Sequence, residues 1–212
     1  MDAWYWDGAV GGFNNPVMAG LVEAMTNGKG NTAADYRILS IGTGAARKPV
    51  LVGYDKGNDE QRAKYNANKG SKMVHADKKF GFLNDLPKMA QSILADPPDA
   101  ASFVAFSVLN PSLDNDSCIV RINPCVTPEL NTTTHKYEMP KAWKKSEEAF
   151  IDLLELDMDA VAQEDIMLIK ELCERFIVSN TDEPVIPNQF IRGNKDTKHI
   201  GYGTYAEAKA KW

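Results

Sequence analysis

Residues 35–44 read DYRILSIGTG: a polar entry, a short apolar run and a glycine-rich turn. Ile38, Leu39 and Ile41 have the apolar and β-branched character of a short strand, and Gly42-Thr43-Gly44 ends it. Upstream, residues 3–6 (AWYW) read as the end of a buried strand broken by Asp7-Gly8, with Gly11-Gly12 as a tight turn. Asn14 or Asn15 can cap the helix that follows, with Pro16 at its first position, where a missing N–H costs nothing. Val17, Met18, Leu21, Val22 and Met25 form an apolar stripe at helical spacing, which Asn27-Gly28-Lys29-Gly30 stops. Strand, turn, helix and strand in that order predict an α/β protein with a parallel or mixed sheet.

Further along, residues 53–72 are polar and rich in Asn, Lys and Gly, and read as a long excursion. Phe82 to Leu94 fits a helix capped by Asn84 or Asp85. Ala100 to Leu109 is so apolar that strand and helix are hard to separate, and Asp99 as a cap favours helix. Cys118 to Ile122 reads as a strand. Pro124 to Pro140 reads as loop, with room for a short strand within Thr127 to His135. Lys141 to Leu156 is expected to be helical, with Trp143, Phe150, Leu153 and Leu154 as a core face. Asp159 to Val178 carries the clearest helical period: Asp159 caps it, and Ala162, Ile166, Ile169, Cys173 and Phe176 or Ile177 share one face. From Pro184 the chain turns irregular, and Ala206 to Lys211 reads as a last short helix or a frayed end. The organisation expected is one domain over 1–183 and an irregular C-terminal tail over 184–212.

The chain has 212 residues and a formal net charge of −5, with acid and base mixed. Nothing in it resembles the clustered Lys and Arg that phosphate backbones demand, so no nucleic-acid partner is expected. Three cysteines, Cys118, Cys125 and Cys173, are too few and too widely spaced for a disulfide framework or a zinc motif, and read as free thiols of a reducing compartment. No stretch approaches the about 18 apolar residues of a spanning helix. The location expected is cytoplasmic, with peripheral contact to membranes left open. No metal site and no cofactor are expected.

Asp7 is the first candidate for chemistry. A carboxylate just past an apolar strand sits where open α/β sheets bind ligands, beyond the carboxyl ends of their strands. There it could accept a proton, orient a histidine or hold a metal, or it could simply bond its own turn. No Gly-x-Ser-x-Gly elbow occurs: Ser40 lies inside a predicted strand, Ser71 in a polar loop, and Ser92 and Ser107 in helical or apolar runs. Gly42-Thr43-Gly44 is too short for a phosphate-binding loop. His75, His135 and His199 are far apart and read as solvated. The acidic pairs Asp157-Asp159 and Glu164-Asp165 read as a helix start.

Three features then stand in order: Trp6-Asp7-Gly8-Ala9-Val10, Asn14-Asn15-Pro16 opening a helix, and Ile38-Leu39-Ser40-Ile41-Gly42-Thr43-Gly44. Together they resemble the second half of a patatin-like phospholipase. In that family an Asp-Gly-Gly or Asp-Gly-Ala motif ends a strand, an Asn-Pro opens the next helix, and a Leu-Ser-x-Gly-Thr-Gly strand follows. Cys118 to Ile122 resembles the family's late strand, and Leu156 to Ala160, leading into the long helix, its closing helix. The resemblance implies a partial three-layer α/β domain with a mostly parallel central sheet flanked by helices.

The resemblance also implies a lipid acyl hydrolase acting on carboxylic esters through a Ser-Asp dyad without histidine. Asp7 would be the dyad aspartate, and Gly8 would let the turn approach the nucleophile. The family's serine elbow and oxyanion loop precede the Asp-Gly motif, and neither is in this sequence. The chain is therefore expected to need a segment or second chain bearing the serine. With upstream strands missing, a partner chain or homo-oligomer would cover the exposed sheet edge. The alternative is a non-catalytic structural or interaction module that keeps the patatin scaffold.

Overall fold

The computed structural model describes residues 15–28, 32, 36–51, 57–76, 100–111, 118–156, 160–178, 184–189 and 201–212. It is an α/β structure of helices and short, mostly parallel strand pairs. Helix α1 spans Val17–Asn27. The Asn15 carboxamide stands at its start, accepting from the Val17 N–H at 3.3 Å and donating to Ser102 Oγ at 2.6 Å. Asn15 therefore joins α1 to a second helix, α3, at 100–109. The stripe expected along α1 is only half used. Val17 and Leu21 are buried, whereas Val22 is 55% and Met25 41% exposed.

Strand β1 (Ile38–Ile41) pairs in parallel with β5 (Ile119–Ile122), Ile38 opposite Ile119 and Ile41 opposite Ile122. The pairing continues in β2 (Ala45–Ala46) and β6 (Cys125–Val126), Ala45 opposite Cys125. Between the two ladders three residues, Gly42-Thr43-Gly44, face two, Asn123-Pro124. This is a one-residue bulge, and the register shifts across it. The backbone bridges the break: Gly42 N–H donates to the Ile122 carbonyl and Ala45 N–H to the Pro124 carbonyl. A third parallel pair joins β3 (Val50–Leu51) to β4 (His75–Ala76). The one antiparallel pair among the described strands is the hairpin of β7 (Glu129–Leu130) and β8 (Tyr137–Glu138); β7 falls within Thr127 to His135, where a short strand had room, and β8 in the part expected to be loop.

Two hydrophobic clusters meet the β1–β5 pair. One gathers Val17 and Leu21 of α1, Ala105, Phe106 and Leu109 of α3, and Ile119 of β5, with Ile38 packed against it. The other gathers Phe150 and Leu153 of α4 (Glu147–Glu155), Leu168, Leu172 and Phe176 of α5 (Gln163–Ile177), and Val126, Trp143 and Ile186, with Ile122 against it. Side chains alternate along a strand, so Ile119 and Ile122 point to opposite sides of β5, one into each cluster. Each fully buried Leu, Ile or Phe contributes about 1.5–3 kcal/mol, which makes these clusters the main stabilising force.

Several sequence expectations are corrected here. Residues 53–72 do not form a structureless excursion, since α2 (Asp59–Asn68) occupies most of the described part. It buries only Asn68, so no apolar period announced it. It is held instead by a reciprocal cap: Asn58 Oδ1 accepts from Gln61 N–H and Gln61 Oε1 accepts from Asn58 N–H. Within 141–156 only Glu147–Glu155 is α-helical. Ser146 Oγ accepts from the Ala149 N–H and fixes the start, while Ala142 and Trp143 are buried in the turn before it. Helix α5 starts at Gln163 with Ala162 at its N-cap, not at Asp159. Its buried face is Leu168, Leu172 and Phe176, whereas Ile166 is 45% and Ile177 53% exposed. The face is rotated because α4, Ile186 and Tyr205 lie on that side.

The chain beyond Pro184 enters the core. Ile186 is buried in the second cluster, and an antiparallel bridge sets Asn188 beside Pro124. Helix α6 (Tyr205–Lys211) takes the helical alternative, with Thr204 and Glu207 as its reciprocal cap. Tyr205 meets Phe176 edge-on at 5.4 Å. Arg37 donates to the Lys211 carbonyl at 2.7 Å and lies 5.4 Å from the centre of the Trp212 ring.

Candidate functional site

In open α/β sheets the working end lies beyond the carboxyl ends of parallel strands. Here that end is the bulge between β1 and β2, and a polar cluster surrounds it. Ser40 and Arg121 face each other in register and are both buried, with Arg121 Nη1 donating to Ser40 Oγ at 2.7 Å. Asn123, 3% exposed, sits at the centre. Its Oδ1 accepts from the Gly44 N–H at 2.8 Å, and its Nδ2 donates to Gln189 Oε1. Its backbone N–H donates to Asn188 Oδ1 at 2.8 Å, and its carbonyl accepts from the Gln189 N–H at 2.9 Å. Asn188 Nδ2 in turn donates to the carbonyls of Arg121 and Tyr202, each at 2.8 Å.

The local sequence explains the arrangement. Gly44 lies in the bulge between the two ladders, and its N–H donates to the Asn123 side-chain oxygen at the break. Gly44 has φ +101°, a region open to glycine. A Cβ at Gly42 would overlap Asn123 Oδ1, so only glycine lets the carboxamide lie against the turn. Thr43 is left exposed at the tip. The Asn-Pro dipeptide after a β-branched strand was a legible sign of a break. Nothing in the sequence tied Asn188 and Gln189 to it.

Asp7 and Gly8, the predicted site residues, lie outside the described residues, as do Ser92, Asp157, Asp159 and His199. Ser40 lies inside β1, as expected, and is engaged by Arg121. Ser71 Oγ accepts from the Met73 N–H, and Ser107 Oγ donates to the Phe103 carbonyl. Ser40, Ser71 and Ser107 do not stand in a strand–turn–helix elbow. None of the three cysteines is in a disulfide, and all are partly buried. Burial pushes the Cys173 thiol above its ordinary value, which lowers its thiolate fraction and its reactivity.

A second polar feature is a shallow cavity of about 310 Å³ between α4 and α5, lined by Asp152, Glu155, Glu164, Asp165 and the leucines Leu156 and Leu168. Lys48 Nζ reaches Glu155 at 2.9 Å, and its hydrogen bond and charge hold that carboxyl below its ordinary value. Among the described residues no group of three or more His, Cys, Asp or Glu is arranged to hold a metal ion, and no helix is long and apolar enough to cross a membrane. The chain matches no family model, no curated protein and no solved structure.

Proposed function

We propose that this chain is the aspartate-bearing C-terminal part of a patatin-like lipid acyl hydrolase and works with a segment that supplies the serine. The observation that carries this reading is the in-register parallel pairing of Ile38–Ile41 with Ile119–Ile122, followed by the Gly42-Thr43-Gly44 turn. These are two of the stretches on which the resemblance rests, and they are neighbours in one sheet. Hydrophobic clusters reached from opposite sides of β5 also fit a sheet flanked by helices, as the three-layer reading requires.

In this scheme Asp7 accepts the proton of the serine hydroxyl as its oxygen attacks the ester carbonyl. It returns that proton to the departing alcohol, and then activates water to release the acyl group. The substrates are lipid esters, met at a membrane surface by a cytoplasmic, peripheral protein. No metal or cofactor takes part.

The test is hydrolysis of a p-nitrophenyl acyl ester by the assembly purified from its native cell, with covalent labelling by a serine-reactive fluorophosphonate. The expected result is labelling of a Gly-x-Ser-x-Gly serine and a loss of kcat of about 10²–10⁴-fold with Asp7→Asn. Full activity in the Asp7→Asn assembly, or an assembly with no labelled serine, overturns the reading.

A second reading, a non-catalytic interaction module, is favoured by Ile41 at 72% and Leu39 at 37% exposure on β1. Apolar side chains on a strand invite pairing with another chain. An assembly that forms without any serine-labelled component would support it.

A further inference from the structure

The Asn123 carboxamide has two ends with opposite needs. Its oxygen must face the Gly44 N–H, which can only donate, and its nitrogen faces Gln189 Oε1. Turned over, the carboxamide would set an N–H₂ against the Gly44 N–H, donor against donor. Gln189 thus selects the orientation in which Asn123 can hold the turn. Gln189 is itself held, because its backbone N–H donates to the Asn123 carbonyl, and Asn188 ties the same segment to the carbonyls of Arg121 and Tyr202. One buried side chain therefore stands between Gln189 of the C-terminal segment and the Gly42-Thr43-Gly44 turn at the carboxyl end of β1.

We propose that Asn188 and Gln189 form a latch that acts through Asn123 to hold the Gly42-Thr43-Gly44 turn in its bulged shape, so that displacing the C-terminal segment releases the turn. The two ends of the latch are 145 residues apart in sequence from Gly44 to Gln189, yet separated by a single carboxamide. In the released state Asn123 loses its acceptor, Gly44 loses its bond to Oδ1, and the exposed tip at Thr43 gains the freedom of an ordinary glycine-flanked loop. The device is independent of any hydrolase activity. It makes the end of the sheet where α/β proteins bind ligands responsive to the position of the tail.

The test is amide hydrogen exchange, read at single residues by NMR on the full chain. Gln189→Met keeps length and apolar bulk but removes the acceptor. The expected result is exchange at Gly44 faster by about tenfold, the scale of one buried bond lost. Amides of α5 and of the β7–β8 hairpin should stay at their wild-type rates, which separates release of the turn from general loosening. Gly42→Ala, which pushes the Asn123 oxygen aside, should speed Gly44 exchange to a similar degree. The double variant should add little to either single one, because both break the same link. If Gln189→Met does not fold, Asn123→Asp serves in its place. Its carboxylate still accepts from Gly44, and a turned Gln189 amide can donate to it, so Gly44 protection should survive. Wild-type exchange at Gly44 in Gln189→Met, strictly additive effects in the double variant, or loss of Gly44 protection in a folded Asn123→Asp protein would each overturn the latch.

Discussion

Asn68 offers the sharpest test of how the polar half of the molecule is held. It ends α2, is 2% exposed, and makes three side-chain bonds. Nδ2 donates to the carbonyls of Lys64 at 2.8 Å and His135 at 2.7 Å, and Oδ1 accepts from the Tyr137 N–H at 2.7 Å. The hairpin tip therefore hangs on a helix that buries no other residue. His135 sits there at φ 57°, a left-handed backbone uncommon for a residue with a Cβ, so the bond to its carbonyl holds a conformation that the chain would not choose by itself.

Asn68→Leu keeps the volume and removes all three bonds. The Lys64 carbonyl remains on the helix ladder, so the cost falls on the Tyr137 N–H and the His135 carbonyl. A buried polar group left without a partner costs about 1–3 kcal/mol, and both groups here regain some water, so the loss is about 2–3 kcal/mol in all. Urea unfolding followed by circular dichroism should show the midpoint falling by about 1 M for a slope of about 2–3 kcal/mol/M. Proteolysis should cut first near Thr132–Thr134 in the variant. A midpoint within about 0.2 M of wild type, with the hairpin amides still protected, would show that the β7–β8 pair stands without Asn68.

Two further outcomes follow from ionisable groups. The Lys48–Glu155 pair holds the Glu155 carboxyl below its ordinary value of 4.5. A lowered carboxylate stabilises above its unfolded value and loses that contribution as pH falls through the folded one. Comparing wild type with Lys48→Met should therefore show a gap below about 1 kcal/mol at pH 7, small because Glu155 is half exposed, that closes as the pH falls below the ordinary value and through the lowered one. A gap that widens in acid would contradict the sign. Burial raises the Cys173 thiol, so iodoacetamide at pH 8 should alkylate it more slowly than a cysteine in a short peptide, as read by mass spectrometry. Equal rates would refute this.

What was legible in the sequence was whatever burial writes as a pattern. The β1 and β5 runs are apolar and β-branched, and Trp143, Phe150 and Leu153 do lie in the core. Where stability comes from polar bonds, the pattern fails. Helix α2 carries a cap at Asn58 and Gln61 but no apolar face, so its residues read as an excursion. In α5 the period was right and the phase only partly so. Phe176, one of the two alternatives for the end of the expected face, is buried and Ile169 and Cys173 are half-buried, but Leu168 and Leu172 rather than Ile166 fill the core, and only the neighbours α4 and Tyr205 decide this.

The same distinction governs the candidate site. Asp7 stood out because a carboxylate beside a glycine after an apolar run is a local feature. The cluster that surrounds the bulge is made of Ser40, Arg121, Asn123, Asn188 and Gln189, drawn from three separated stretches with no shared motif. Each is a polar residue in an otherwise ordinary segment, and what makes them a unit is the run of hydrogen bonds that joins them. Buried polar groups are as a rule hydrogen-bonded, so the tail that supplies Asn188 and Gln189 is as much a part of the sheet end as the strands are. A chain read only for its apolar period treats residues after 184 as an appendix. Read for hydrogen-bond demand, Asn123 beside Pro124 already requires a partner from elsewhere, because a carboxamide buried at a strand break has more polar atoms than its own ladder can satisfy.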